Sequence, residues 1–96
     1  MTRIDLKTEA WLSDIGLYCG GNTYDPEKLR QVTAEKSEWS ERLKRNFEHV
    51  LDARQLSALD YEEKVDIEFA SDEELYAYLQ RLFAYLFTDG PFPAWD

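Results

Sequence analysis

Apolar residues in this chain recur mainly at three- and four-residue intervals, and the residues that would break such a pattern lie near its two ends. Glycine and proline occur at 16, 20, 21 and 26, then not again until Gly90, Pro91 and Pro93. The stretch 27–89 therefore reads as helix-rich, with boundaries set by Ser and Asp.

Trp11, Leu12, Ile15, Tyr18 and Cys19 share one helical face. Gly16 within that segment costs about 1 kcal/mol relative to alanine, so the helix depends on packing. Gly20-Gly21-Asn22 ends it. Asp25-Pro26 restarts the chain as a helix, with Asp25 as N-cap and Pro26 in the first helical position, where its missing N–H does no harm. The cleanest amphipathic stripe is Trp39, Leu43, Phe47, Val50 and Leu51, starting near Ser37 and ending between Asp52 and Leu56. Trp39 and Phe47 are its expected core residues. Glu38–Arg42 and Glu41–Arg45 lie on the outer face as pairs four residues apart.

Lys64-Val65-Asp66-Ile67-Glu68-Phe69 alternates polar and apolar, as a half-buried strand does, and Arg3-Ile4-Asp5-Leu6 is the only other alternating stretch. Two alternatives stay open: a short two-stranded pairing of 3–6 with 64–69, or a helix through 57–64 followed by an extended linker.

Ser71-Asp72-Glu73-Glu74 forms a capping box at the start of the last helix, where acids also suit the positive end of the dipole. The following stretch 75–87 is apolar nearly all round. Leu75, Leu79, Leu82 and Leu86 are expected to face the core, with Tyr76, Phe83 and Phe87 on an adjoining face and Tyr78 and Tyr85 on another. A small three- to four-helix domain covers two sides of such a helix, so one of the two aromatic sets is expected to stay exposed. The tail 90–96 is extended and aromatic; Phe92 and Trp95 either fold back over the last helix or anchor a partner. The chain 1–96 is read as one mostly α domain.

Composition supports that reading. With 44% hydrophobic and 15% aromatic residues, a core can form without disulfides or metal. No apolar leader is visible and nothing approaches the roughly 18 apolar residues of a membrane span. One cysteine makes no internal disulfide, and the expected location is cytoplasmic.

Charge changes the picture more. The net charge of −9 is uneven: residues 1–59 carry ten acids and nine bases, whereas 60–96 carry ten acids against Lys64 and Arg81. Eight of those carboxylates lie between Asp60 and Glu74. Such a surface repels nucleic acid and anionic membrane and attracts basic proteins. The one basic cluster, Arg42-Leu43-Lys44-Arg45, has acids at 41, 48 and 52 around it.

Candidate chemistry is sparse. His49, the only histidine, stands three residues before Asp52, which suggests a local ion pair. Cys19 reads as a small apolar residue at a helix end, and no signature joins it to His49 as a nucleophilic pair. No metal or other cofactor is expected: zinc requires more Cys and His than one of each. A calcium loop beginning at Asp60 would need glycine at Val65 and glutamate at Ser71, and one beginning at Asp66 fails at Ser71 too. The segment VDIEFASDEELYAYLQRLF at 65–83 resembles in composition the closing section of an acyl carrier protein, a small, acidic, helical family. That family carries Asp-Ser-Leu at the start of its second helix. This chain has none, and Leu56-Ser57-Ala58-Leu59 lacks the Asp and lies too close to the matching segment.

With neither a phosphate loop nor a nucleophile arrangement, catalysis is not expected. The expected activity is binding: an inhibitory protein of the immunity-protein, antitoxin or phage anti-defence type, covering a basic site on a partner protein such as a nuclease. Asp60, Glu62, Glu63, Asp66 and Glu68 would steer association, and Tyr76, Phe83, Phe87 and Trp95 would anchor it. The alternative is a structural or accessory helical module, acting as a homodimer or as a small subunit of a larger assembly.

Overall fold

The computed structural model describes residues 4–20 and 24–93. Five helices follow in order: α1 Leu6–Cys19, α2 Pro26–Ala34, α3 Glu38–Ala53, α4 Ala58–Val65 and α5 Asp72–Phe87. The helical class is as expected, with five helices among the described residues where three or four were expected.

The caps explain the boundaries. Asp5 accepts from the Thr8 N–H at 2.9 Å and starts α1, and Gly20 ends it. Asp25 caps α2 with Pro26 in its first turn. Ser37 starts α3 in a reciprocal capping box with Ser40. Arg54, Asp66 and Asp89 adopt left-handed backbone at φ 50, 65 and 67, just beyond α3, α4 and α5. Aspartate tolerates that conformation better than most residues. Arg54 also lays its guanidinium 4.4 Å from the centre of the Tyr76 ring. The middle of the chain thus turns without glycine, and α3 ends at Ala53 with no breaker in the sequence to mark it.

The pairing of 3–6 with 64–69 does not form. Leu6 opens α1, Lys64 and Val65 close α4, and Arg3 lies outside the described residues. The second alternative, helix then linker, is the one adopted. The alternation was still real: Val65 and Ile67 are buried and Phe69 half-buried, while Asp66 and Glu68 face solvent. It marks an extended segment crossing the core surface. Among the described residues the one β contact is an isolated antiparallel bridge between Cys19 and Tyr24.

The core joins Trp11 and Ile15 of α1, Leu29 of α2, Leu43 and Phe47 of α3, and Tyr61 of α4 to the inner face of α5. Trp11 lies 5.0 Å from Phe47 and 6.2 Å from Tyr61, ring centre to ring centre. Phe47 is fully buried as expected. Trp39 is not: it is half-buried at the rim, edge-on to Tyr18 at 6.4 Å.

The expectation that α5 leaves an aromatic set exposed is overturned for its tyrosines. Tyr76, Tyr78 and Tyr85 are all buried, and Phe83 and Phe87 are half-buried. Connecting segments supply the missing cover. The Tyr76 hydroxyl donates to the Leu56 carbonyl at 2.8 Å and accepts from the Leu56 N–H at 3.1 Å. Phe69 lies 5.1 Å from Tyr78, whose hydroxyl meets that of Tyr24 at 2.9 Å. Phe83 and Phe87 rest on Phe47 at 5.2 and 6.4 Å.

The tail folds back as far as it is described. Gly90 donates to the Ala84 carbonyl, Phe92 packs edge-on to Tyr85 at 5.6 Å, and the Tyr24 hydroxyl donates to the Pro93 carbonyl. Phe92 itself remains 55% exposed. Trp95 lies outside the described residues.

Candidate functional site

The acidic run 60–74 occupies α4, the linker after it and the first turn of α5. The starts of these two helices are drawn together: the Asp72 carboxylate accepts from the Ala58 N–H at 2.7 Å. Both Ser57 and Ser71 act as N-caps. Two helix N-termini therefore share one corner, each contributing partial positive charge to be balanced by acids.

The eight carboxylates divide by what they do. Asp60 accepts from the Ser57 N–H at 3.4 Å and completes the capping box of α4, Asp72 joins the two helices, and Glu74 accepts from the Ala70 N–H at 3.2 Å. Glu74 thus reaches one residue past Ser71, so the expected reciprocal box does not form; the Ser71 side chain alone caps α5. These three hold the corner together. Glu63, Asp66, Glu68 and Glu73 are exposed and Glu62 is half-buried. None of these five takes part in a side-chain hydrogen bond or ion pair among the described residues, where the ion pairs are Arg30–Asp89 and His49–Asp5. Asp60, expected among the steering residues, instead closes the capping box of α4. The spacing Ser57-x-x-Asp60 carries that signal in the sequence.

The three described aromatic candidates, Tyr76, Phe83 and Phe87, add no fully exposed ring to this corner. Tyr76 is buried with its hydroxyl saturated by Leu56, so it offers no surface to a partner. Phe83 and Phe87 lie on the α3 side, where Lys44 approaches the Phe87 ring at 5.9 Å. A shallow hollow of about 470 Å3 there is lined by Phe87 and by charges of both signs, Lys36, Lys44 and Arg45 with Glu41 and Glu48.

The large apolar side chains that do stand in solvent are Leu6, Leu17, Leu59 and Phe92, at 81, 69, 65 and 55% exposure. Sequence reasoning singled out none of the leucines. Leu59 shares the outside of α4 with Glu62 and Glu63, three and four residues on, so the acidic corner has its own apolar contact point.

The remaining candidate groups are structural. His49 Nε2 lies 2.5 Å from Oδ2 of Asp5, not against Asp52, because the start of α1 runs past α3. Asp5 also receives Thr8 N–H, and its own N–H donates to Gln55 Oε1 at 3.1 Å, so it pins α1 to the end of α3. The Thr8 hydrogen bond, followed by that of His49, brings the Asp5 carboxyl down to about 2. Cys19 is buried, and burial together with the nearby Asp25 carboxylate pushes its thiol up to about 12. It stays protonated at neutral pH, the opposite of a nucleophile's requirement. Burial likewise raises the Tyr61 and Tyr78 hydroxyls. Among the described residues no three His, Cys, Asp or Glu side chains converge on a metal position, and no helix is long and apolar enough to cross a membrane.

Comparison of the chain with protein families, with characterised proteins and with solved structures finds no match.

Proposed function

We propose that this protein is a small acidic inhibitor or antitoxin-type binder whose α4–α5 corner covers a basic site on a partner protein, such as the substrate groove of a nuclease. One observation carries the reading: five carboxylates in 62–73 neither cap a helix N-terminus nor pair with a cation among the described residues, and Glu62 and Glu63 among them flank the exposed Leu59 on α4. Like charges held close without counter-charges repel one another, so their placement costs the free protein stability and is relieved by a cationic surface. Leu59 supplies the desolvated contact that charge alone does not.

Charge neutralisation tests this. Glu62→Gln, Glu63→Gln, Asp66→Asn and Glu68→Gln remove four charges without touching the helix N-caps, and asparagine tolerates the left-handed backbone at position 66, the C-cap of α4. The folded state should persist or gain slightly. A partner captured from host lysate by the wild type at low salt should be basic, and the quadruple variant should bind it at least tenfold more slowly at low ionic strength. The difference should shrink as salt screens it. An association rate unchanged at low salt would reduce the corner to plain solvation.

The accessory-module reading has one observation in its favour, the exposed leucines of α1. Self-association through α5 has less support, because segments of the same chain bury its three tyrosines.

A further inference from the structure

The outermost line of α1 is Leu6, Ala10, Ser13 and Leu17, spaced four, three and four residues apart. At about 100° per residue these positions fall within about 60° of arc, opposite Trp11, Ile15 and Cys19 on the buried side. All four are exposed. Alternating spacings of three and four are those of a helix-pairing seam, and small residues at its centre let a second backbone approach closely. From this we infer that the seam is occupied by α1 of a second copy of this chain, laid antiparallel across a two-fold axis between Ala10 and Ser13. The inference goes beyond the proposed inhibitory function and uses a different face.

The charges beside the seam indicate the occupant. An antiparallel two-fold axis sets Leu6 against Leu17, Ala10 against Ser13, and each flank of the helix against the same flank of its copy. On one flank, Glu9 and Lys64 line a hollow of about 320 Å3 with Gly16 and Leu17 between them. Neither is ion-paired within the described chain. Across the axis, Glu9 comes within about 3 Å, measured along the helix, of the level of Gly16, beside which Lys64 of the second copy stands. On the other flank Lys7 reaches the same offset from Asp14 of the second copy, a carboxylate half-buried beside Trp39 and Arg42. Both pairs occur twice in the dimer. Antiparallel alignment also opposes the two helix dipoles favourably.

A 14-residue helix offers a contact about 21 Å long, smaller than a standard interface of roughly 1,600 Å2 burial. The dimer is therefore a weak one, forming in the micromolar range or above. Leu59 and Glu63 lie about a third of a turn round α4 from Lys64, so the acidic corner stays open in the dimer.

Sedimentation equilibrium from micromolar to millimolar concentration tests the inference. The average mass should rise from 11.3 kDa toward twice that value. Leu6→Gln and Leu17→Gln, both at exposed positions, should each weaken self-association at least tenfold with the melting temperature unchanged. Glu9→Lys and Lys64→Glu should each weaken it, and the two together should restore it to within a few-fold of wild type. Mixed Ala10→Cys and Ser13→Cys chains should oxidise chiefly to the heterodimer. A chain that stays monomeric at the highest concentration, a dimer indifferent to the leucine or charge variants, or predominant 10–10 and 13–13 crosslinks would overturn it. The quadruple acid neutralisation should not weaken the dimer, so failure of the inhibitory reading and failure of the dimer are separately visible.

Discussion

α1 and α5 both carry large apolar side chains on more than one face, yet the fold treats them in opposite ways. Around α5, helices α2 and α3 take two sides, and Leu56 and Phe69 from connecting segments and Phe92 from the tail cover its three tyrosines. Around α1, helices α2, α3 and α4 all gather on one side, and Leu6 and Leu17 are left in water. Hydrophobicity of a helix therefore does not by itself locate its exposed face. The difference lies in where the short irregular segments run: Leu56, Phe69 and Phe92 all lie against α5.

The contrast can be broken most directly from the core side. Phe47→Ala removes the ring that supports Trp11, Phe83 and Phe87 together, and should lower unfolding free energy by about 3–5 kcal/mol in denaturant titration. A loss under 1 kcal/mol would mean that the α3–α5 contact collapses freely and is not the packed floor described. Tyr76→Phe should cost about 1–3 kcal/mol, since it leaves both the N–H and the carbonyl of Leu56 without their partner. A neutral result would show that the cover over α5 at residues 54–57 is held by something other than that hydroxyl.

On the α1 side, the contribution of Asp5 should be lost only in acid. Its carboxyl titrates near 2, below the ordinary value of 3.8, so the stability it supplies is fully present above pH 4 and is lost as the pH falls from about 4 through about 2. Asp5→Asn should flatten that part of the profile of melting temperature against pH. If wild type and variant lose stability in parallel there, the pin between α1 and α3 contributes nothing to acid sensitivity. The smallest effects belong to the outer seam. Leu6→Gln and Leu17→Gln should each change monomer stability by no more than about 0.5 kcal/mol, as is usual for exposed positions. A loss above 2 kcal/mol in dilute solution would place those leucines in the monomer core and erase the contrast.

Much of this architecture was legible in the residues. Asp25-Pro26, Ser37 and Ser71 gave three helix starts, because capping chemistry acts over three or four residues of chain and needs no tertiary partner. The stripe through Leu43, Phe47 and Val50, the alternation at 64–69 and the crowding of carboxylates into 60–74 are local patterns of the same kind. Other features depended on residues distant in sequence. Whether the alternating segment would find a strand was decided by Leu6 entering a helix, and the partner of His49 by the passage of Asp5 beside α3. The division of the acids into Asp60, Asp72 and Glu74, which hold the corner, and Glu62, Glu63, Asp66, Glu68 and Glu73, which do not, followed once two helix N-termini met. Sequence alone determined which elements form and where the charge lies. The tertiary structure decided which surfaces remain open, because burial depends on what arrives from elsewhere in the chain, and no local pattern of apolar residues records that.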